Sequence, residues 1–142
     1  MASYIVYGGN KLEGELEVSG SKNACLPILA ASILNKGVTK LYNVPDIHDT
    51  QITLKILRIL GCKVDKKNGK IIVDSSQMDK YKIPDDLMRQ MRSSVVLVGA
   101  ILARFKNVMF SYPGGCDIGA RPIDLHLKSL NKLGVTVKEE AG

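Results

Sequence analysis

Apolar residues recur along this chain in patterns that predict two kinds of element. Polar–apolar alternation and short apolar runs predict strands at residues 4–7, 15–19, 39–42, 107–112 and 135–137. Helical spacing or runs of small apolar residues predict helices at 26–34, 52–60, 93–103 and 123–133, the third of them buried on most sides. Segments 62–66 and 70–74 flank Asn68-Gly69, a strong two-residue hairpin signal. The sequence therefore predicts a mixed α/β fold.

Capping and breaking residues mark several of the helix ends. Either Asp46 or Asp49 can cap the second predicted helix, and Gly61 ends it. Pro-Asp-Asp at residues 84–86 begins a further helical stretch, and Gly134 ends the last helix. These signals divide the chain into short alternating elements of the kind found in α/β proteins.

The chain contains an internal repeat. Residues 57–64 resemble residues 130–137 at an offset of 73, and residues 40–42 resemble residues 108–110 at an offset of 68. The five additional residues fall in the segment that contains Cys116. Because the first copy folds without them, the enlarged loop favours a functional role. The second copy breaks off before its last strand, so we expect the chain to be a fragment.

Charge and aromatic content narrow the class of ligand. The net charge is +6, but the basic residues are scattered and aromatic residues make up only 5% of the chain. Nucleic-acid binding usually combines a basic patch with interleaved aromatic residues, which this sequence lacks. A small acidic substrate such as a phosphate or a nucleotide fits the distribution better.

Cysteine usage and hydropathy indicate the compartment. Cys25, Cys62 and Cys116 form no Cys-x-x-Cys pair, so neither a disulfide framework nor a zinc site is expected. The longest apolar run, residues 95–103, is too short to cross a membrane. No secretory signal is visible near the first residue, and we therefore expect a cytoplasmic protein.

The stretch 113–122 carries the most specific chemistry. It combines three glycines and two prolines with Cys116 and Arg121. We interpret it as a glycine loop between a strand and a helix, with Pro122 at the first helical position. Helix N–H groups and a guanidinium would bind an anion and lower the pKa of the Cys116 thiol. An ordinary surface loop with an incidental cysteine is the alternative.

Two further basic positions are candidates for anion binding. Lys22 and Asn23 are predicted in a polar turn just ahead of helix 26–34, where helix N–H groups would assist them. The order Gly-Ser-Lys at residues 20–22 excludes a Walker loop, and a solvated surface lysine is the alternative. Arg92 borders the apolar run 93–103, where a structural ion pair and a ligand clamp are equally good interpretations.

These residues together resemble a known family. Gly-Ser-Lys-Asn-Ala at residues 20–24, Arg92, and Pro-Gly-Gly-Cys-x-Ile-Gly-Ala-Arg-Pro-x-Asp-Leu-His at 113–126 closely resemble the UDP-N-acetylglucosamine 1-carboxyvinyltransferases. Members of this family are the enolpyruvyl transferases that open peptidoglycan synthesis. The similarity runs over all 142 residues, and the cysteine loop is its most specific part. By this resemblance the chain is the N-terminal third of such an enzyme.

The resemblance implies a fold and a division into domains. Family members have two domains, each an inside-out α/β barrel that is built from three βαβαββ units with the helices inside. Residues 1–21 would be N-terminal strands of the second domain, which is otherwise absent. Residues 22–142 would form an incomplete first domain with about two of its three units.

The resemblance also implies a reaction. The 3′-hydroxyl of UDP-N-acetylglucosamine adds to C2 of phosphoenolpyruvate, a proton goes to C3, and phosphate then leaves. The thiol that matches Cys116 is the general acid toward C3, can carry a covalent phosphoenolpyruvate adduct, and is the nucleophile that fosfomycin traps. The implied partners are these two substrates, without a cofactor, a metal, a nucleic acid or a membrane.

Substrate-binding residues follow from the same resemblance. Lys22 and Asn23 match positions at the phosphoenolpyruvate site, and Arg92 and Arg121 match arginines that clamp the ligands. The segment that cradles the uridine nucleotide corresponds to Arg121, Pro122, Ile123, Asp124 and Leu125. The family's general base and a further arginine lie beyond residue 142, so we expect the fragment alone to be inactive. We also expect it to self-associate, because truncation would leave apolar surface bare.

Other interpretations stay open at this point. The shikimate-pathway enolpyruvyl transferase is the nearest rival, but it lacks the cysteine loop. A non-catalytic nucleotide-binding fragment and a structural repeat domain without a ligand are the alternatives from other classes. Binding of UDP-N-acetylglucosamine would separate these last two.

Overall fold

The computed structural model describes residues 3–67, 69–114 and 122–140. Its elements follow in the order α1 (Lys22–Ala31), β1 (Val38–Tyr42), α2 (His48–Ile59), β2 (Lys63–Lys67), β3 (Lys70–Asp74), α3 (Asp85–Gln90), α4 (Val96–Phe105) and α5 (Asp124–Lys132), with a 3₁₀ turn, Arg92–Val95, between α3 and α4. The mixed α/β class is confirmed by this order.

The three strands form one antiparallel sheet in the order β1-β3-β2. Lys67 pairs with Lys70 across the predicted hairpin, and Gly69 has a positive φ of 70°, which suits a tight turn. Leu41 of β1 lies opposite Ile71 of β3, and both side chains are buried. The sheet thus turns one face toward the helices, as the predicted alternation requires.

The core lies where α1, α2 and α4 pack together and against the sheet. α1 contacts both α2 and α4, and the last turn of α2 leads directly into β2. The apolar side chains with no measurable exposure come from these elements, from α3 and from the segments between them: Leu29, Ile33, Ile56, Leu57, Leu60, Val73, Ile83, Met88 and Ile101. Burial of this apolar surface is the main favourable contribution to folding.

Matching helix ends support the internal repeat. Gly61 follows α2 with a φ of 100°, and its N–H donates to the carbonyl of Arg58 at 3.0 Å. Gly134 follows α5 with a φ of 89°, and its N–H donates to the carbonyl of Asn131 at 2.9 Å. In both cases the next N–H bonds back to the third-last helical carbonyl, which is a Schellman motif. The two glycines are 73 residues apart, as the sequence repeat predicts.

Four predicted strands are wrong. Residues 3–20 contain no helix or strand, so the predicted strands 4–7 and 15–19 do not form, and their apolar side chains are exposed. Residues 107–112 provide only a single bridge, between Met109 and Lys82, and 135–137 form no strand. Strands are stabilised by pairing with neighbouring strands, and the described chain supplies none for these segments.

The first helix begins earlier than predicted. α1 starts at Lys22 rather than residue 26, so Lys22 and Asn23 occupy its first turn instead of a turn ahead of it. Pro27 therefore lies inside the helix and not near its start. The missing proline N–H removes one helical hydrogen bond, to the carbonyl of Asn23, while burial of Leu26 and Leu29 favours the continuous helix.

Neither predicted aspartate caps α2. Its N-cap is Ile47, which makes no side-chain capping bond. Asp46 instead accepts hydrogen bonds from Gln51 and Lys66, and Asp49 lies within the first helical turn. Both carboxylates stay at the helix N-terminus, where they interact favourably with its dipole without capping it.

The long apolar helix is broken at its start and open on one side. Met91, with φ −149° and ψ 143°, separates α3 from the 3₁₀ turn that leads into α4. The hydroxyl of Ser94 donates to the carbonyls of Met88 and Met91 and so fixes this break. α4 buries Leu97 and Ile101, but Val96 on another side is 41% exposed. The prediction of a helix buried on most sides is therefore wrong.

Arg104 joins three parts of the fold. Its guanidinium donates to the carbonyl of Ile33 at 2.7 Å, after α1, and to the carbonyl of Ser75 at 2.6 Å, after β3. A third bond reaches the Ser75 hydroxyl at 3.3 Å. Because the fork geometry serves two chain segments together, lysine cannot replace it.

Arg104→Ala is expected to lower the free energy of unfolding by about 2–4 kcal/mol, since each lost charged hydrogen bond leaves a carbonyl without its partner. Urea unfolding measures this loss. Arg58→Ala is the matched control, because Arg58 is exposed and donates one bond, of 3.3 Å, to Val64. Equal effects of the two substitutions would show that Arg104 does not join the segments.

In the part of the chain that the structure describes, no helix has the length and apolar character needed to span a bilayer.

Candidate functional site

Close backbone packing fixes the start of α1. The N–H of Gly20 donates to the side-chain oxygen of Asn43 at 3.1 Å, just beyond the end of β1. A Cβ at Gly20 would overlap the backbone oxygen of Asn43, so only glycine fits here. Ser21 follows as the N-cap residue, and Lys22 and Asn23 then begin the helix. The first turn of α1 carries no acidic residue, so its positive end is not neutralised from within the helix.

Lys22 forms an ion pair between two helices. Its Nζ lies 3.2 Å from a carboxylate oxygen of Asp49 in the first turn of α2. The Lys22 side chain is 51% exposed and that of Asp49 26%. Lys22 is therefore neither a freely solvated lysine nor a buried one, and its ammonium group can still reach a ligand. The sequence indicated Asp49 only as a cap, so this pairing was missed.

The α2 helix also contacts the residue that precedes Arg92. The hydroxyl of Thr53, one turn after Asp49, donates to the sulfur of Met91 at 3.8 Å. Arg92 follows directly as the first residue of the 3₁₀ turn and is partly buried. Lys22, which pairs with Asp49, and Met91, which Thr53 contacts, thus both meet the first two turns of α2. Both interpretations of Arg92, as an ion pair or as a ligand clamp, stay predictions.

The glycine loop begins against α3. The N–H of Gly114 donates to the carbonyl of Met88 at 3.2 Å, and a Cβ at Gly114 would overlap the backbone oxygen of Arg89. This contact places the start of the loop within a few residues of Arg92. Cys116 and Arg121, the residues on which most of the predicted chemistry rests, lie outside the described residues.

The residues after the loop lead into α5. The helix begins at Asp124. Pro122 was predicted to be its first residue, but it precedes the helix by two residues. Ile123 is the N-cap residue, and its carbonyl accepts the N–H of Leu127 at 3.0 Å. The Ile123 side chain is 2% exposed, whereas that of Leu125 is 69% exposed. Burial of Ile123 fixes where the helix starts, while Leu125 stays open to a ligand.

An apolar cleft separates α4 from α5. Its volume is about 420 Å³. The α4 side contributes Val96 and Gly99, and the α5 side contributes Ile123, Leu125 and Leu130. Two of the residues that the resemblance assigns to uridine binding therefore line this cleft. Sequence reasoning did not find it, because an apolar run does not show which of its sides lacks a partner.

The two cysteines that the structure describes are unsuited to catalysis. Cys25 and Cys62 are both buried. Burial raises the pKa of the Cys62 thiol to about 11. Burial also raises the pKa of Cys25. Neither thiol therefore forms appreciable thiolate near neutral pH. Across the described residues, no three His, Cys, Asp or Glu side chains cluster in a way that could hold a metal.

A sequence-family model decides the classification. The model for EPSP synthase (3-phosphoshikimate 1-carboxyvinyltransferase) matches residues 6–142, nearly the whole chain.

The chain belongs to the EPSP synthase family.

Curated relatives in the EPSP synthase family carry a narrower name. Over all 142 residues the chain is 51% identical to UDP-N-acetylglucosamine 1-carboxyvinyltransferase 2 of Caldanaerobacter subterraneus subsp. tengcongensis. It is 49% identical to the UDP-N-acetylglucosamine 1-carboxyvinyltransferase of Desulfatibacillum aliphaticivorans and 44% identical to that of Yersinia pestis (strain Pestoides F), again over its whole length. The chain spans 34% of the length of each of these relatives. The predicted resemblance is thereby confirmed.

A solved structure supports the fold. The chain is similar to the enolpyruvyl transferase NikO from Streptomyces tendae, with a TM-score of 0.77 and 26% identity. The match covers 94% of this chain and 29% of the NikO chain. The predicted fold class, that of the enolpyruvyl transferases, is therefore confirmed. The roles of individual residues at the EPSP synthase family site stay predictions, as do the domain boundaries at residues 21 and 22.

Proposed function

We propose that this chain forms the N-terminal part of an enzyme that transfers the enolpyruvyl group of phosphoenolpyruvate to the 3′-hydroxyl of UDP-N-acetylglucosamine. The reaction releases phosphate and is the first committed step of peptidoglycan synthesis, which takes place in the cytoplasm. The observation that carries this proposal is the 51% identity, over the whole chain, to a relative with that name. The cysteine loop, which the shikimate-pathway enzyme lacks, supports the same substrate.

The proposed chemistry divides between an acid and a set of cations. The sugar hydroxyl oxygen bonds to C2 of phosphoenolpyruvate as the general base takes the hydroxyl proton, while the Cys116 thiol gives its proton to C3. Loss of a proton from C3 then restores the double bond as the C–O bond to phosphate breaks. Both substrates are anionic, so fixed cations favour their binding and the charge that develops during addition. The half-exposed ammonium group of Lys22 fits this role.

Arg92, Arg121 and Asn23 complete the proposed anion site. Arg92 follows Met91, which contacts α2 one turn after Asp49, the partner of Lys22. Arg121 would join the site from the loop that begins against α3. Asn23 is exposed in the first turn of α1 and would assist Lys22 at phosphoenolpyruvate. Pro122, Asp124 and Leu125 would contact the uridine nucleotide, and the buried Ile123 would position them. The proposed thiol is also where fosfomycin would form its covalent bond.

The general base and a further arginine of the site would come from a second domain, which closes over the substrates and excludes water. Residues 1–21 would belong to that domain. Their apolar side chains are consistent with this assignment: Tyr4, Val6 and Leu16 are 95%, 86% and 84% exposed. Such residues would become buried when they pair with strands of the second domain.

Arg121→Ala is expected to weaken the binding of UDP-N-acetylglucosamine to the full-length enzyme by about tenfold or more, because a charge-assisted hydrogen bond contributes at least about 1.4 kcal/mol. Calorimetric titration measures the affinity. Arg58→Ala is the control, since Arg58 is exposed on α2 and donates a hydrogen bond to the carbonyl of Val64. Unchanged affinity of the Arg121 variant would contradict its assignment as a clamp.

A further inference from the structure

Asp49 is held more firmly than the other carboxylates that form ion pairs in the described residues. Its side chain is 26% exposed, against 63% for Asp46, 52% for Asp65 and 71% for Glu13. It lies in the first turn of α2, where the helix dipole stabilises a negative charge. Its main-chain carbonyl also accepts the hydroxyl of Thr53 at 2.9 Å. The Asp49 carboxylate is thus a fixed point beside a long, flexible lysine.

The ion pair restrains the Lys22 ammonium group without using all of its N–H donors. A lysine side chain has about 2 kcal/mol of rotamer entropy, so an unrestrained ammonium group samples many positions. The contact of 3.2 Å with Asp49 ties that group to the junction between α1 and α2. An ammonium group has three N–H donors, and one bond to Asp49 leaves two for a ligand. At 51% exposure, the Lys22 side chain is open to that ligand.

We propose that Asp49 is a positioning residue, which holds the Lys22 ammonium group in place for an anionic substrate group, the phosphate or carboxylate of phosphoenolpyruvate. This inference rests on the proposed function. Asp49 does not itself touch the substrate, because a carboxylate repels an anion. Its contribution is to orient a cation before the substrate arrives, and such preorganisation raises the rate of the chemical step more than it tightens ground-state binding.

Asp49→Asn tests this role because it preserves the size of the side chain and removes its charge. We expect kcat of the full-length enzyme to fall about tenfold, since Lys22 is no longer oriented. We expect KM for phosphoenolpyruvate to stay equal or to fall, since a negative charge near the anion site is removed. A merely structural role would instead raise KM and lower the melting temperature. Asp49→Glu, which keeps the charge, should recover part of the lost rate.

Asp46→Asn is the matched control. Asp46 precedes α2 and also pairs with a lysine, but that lysine is Lys66, at 2.7 Å. Its replacement should leave kcat and KM unchanged within about twofold, as expected when an exposed ion pair is lost.

A second measurement follows the ion pair without requiring catalysis. Acetylation of Lys22 by an N-hydroxysuccinimide ester, quantified by peptide mass spectrometry, should be about two- to fivefold faster in Asp49→Asn than in the unaltered protein, because the lost ion pair no longer protects the amine. Lys22 labelling in Asp46→Asn should match that of the unaltered protein.

The two measurements separate the possible failures. If the enzyme is active and Asp49→Asn changes neither kcat nor the labelling of Lys22, the inference is overturned and the proposed function stands. If the unaltered enzyme transfers no enolpyruvyl group, the proposed function is overturned. In that case the labelling still decides whether Asp49 holds Lys22, and an unchanged labelling rate would overturn that as well.

Discussion

Cys116→Ser is expected to lower kcat for enolpyruvyl transfer by the full-length enzyme by about 10²–10⁴-fold, the usual contribution of a general acid. A hydroxyl group is a far weaker acid than a thiol, so the proton reaches C3 of phosphoenolpyruvate much more slowly. The proposed mechanism assigns this role to Cys116. Phosphate release from phosphoenolpyruvate and UDP-N-acetylglucosamine, followed in a coupled assay, measures the loss.

Cys62→Ala is the control for this substitution. Cys62 is buried, and burial raises the pKa of its thiol to about 11, so it is protonated and unreactive at neutral pH. Its replacement leaves a small cavity and should lower stability slightly without reducing kcat. Limited alkylation followed by peptide mapping should modify Cys116 before Cys25 or Cys62. Full activity of Cys116→Ser, or faster labelling of a buried cysteine, would contradict the assignment.

Gly114→Ala is expected to reduce kcat/KM by about 100-fold, because a displacement of about 1 Å in a catalytic group can cost that much. The added Cβ would overlap the backbone oxygen of Arg89, which cannot move aside as a flexible side chain could. The start of the loop must therefore shift away from α3, and Cys116 follows it by two residues. Steady-state kinetics measure the effect.

Gly37→Ala is the matched control for Gly114→Ala. Gly37 precedes β1, and the nearest atoms to a Cβ there belong to the Asn35 side chain, at 3.7 and 3.9 Å, which is ordinary van der Waals contact. Alanine should therefore leave kcat/KM unchanged. If Gly114→Ala retained full activity, the contact with α3 would have no part in positioning the loop.

Elements with local signals could be predicted from the sequence. The spacing of apolar residues in α2 and the turn at Gly69 depend on neighbours in the chain, and both were found within a few residues of their observed positions. The glycine ends at Gly61 and Gly134 were also found, because a Schellman motif is completed by the helix that it ends.

Features that depend on distant partners were missed. Strands at residues 4–7 and 15–19 were predicted from alternation, but alternation does not supply the neighbouring strand that pairing needs. The early start of α1 reflects burial against α2 and α4, which overrides the preference of Pro27 for a helix start. The Lys22–Asp49 pair joins two helices and likewise has no local signature.

Some features of the candidate site could likewise be predicted from the sequence, and others could not. Lys22, Arg92 and Cys116 were singled out because motifs contain them. The structure shows Lys22 paired with α2 and Met91, the neighbour of Arg92, in contact with the same helix. Gly114 was predicted only as part of a glycine loop, and its contact with α3 shows what the start of that loop packs against.

Phosphate release by the purified full-length enzyme tests the central claim most directly. It distinguishes the two acceptors expected within the EPSP synthase family, UDP-N-acetylglucosamine and 3-phosphoshikimate. Phosphoenolpyruvate is supplied with UDP-N-acetylglucosamine in one reaction and with 3-phosphoshikimate in another, and inorganic phosphate is measured over time. We predict release that depends on UDP-N-acetylglucosamine and none above background with 3-phosphoshikimate. Release that occurs with 3-phosphoshikimate and not with UDP-N-acetylglucosamine would contradict the account, and so would the absence of release with either acceptor.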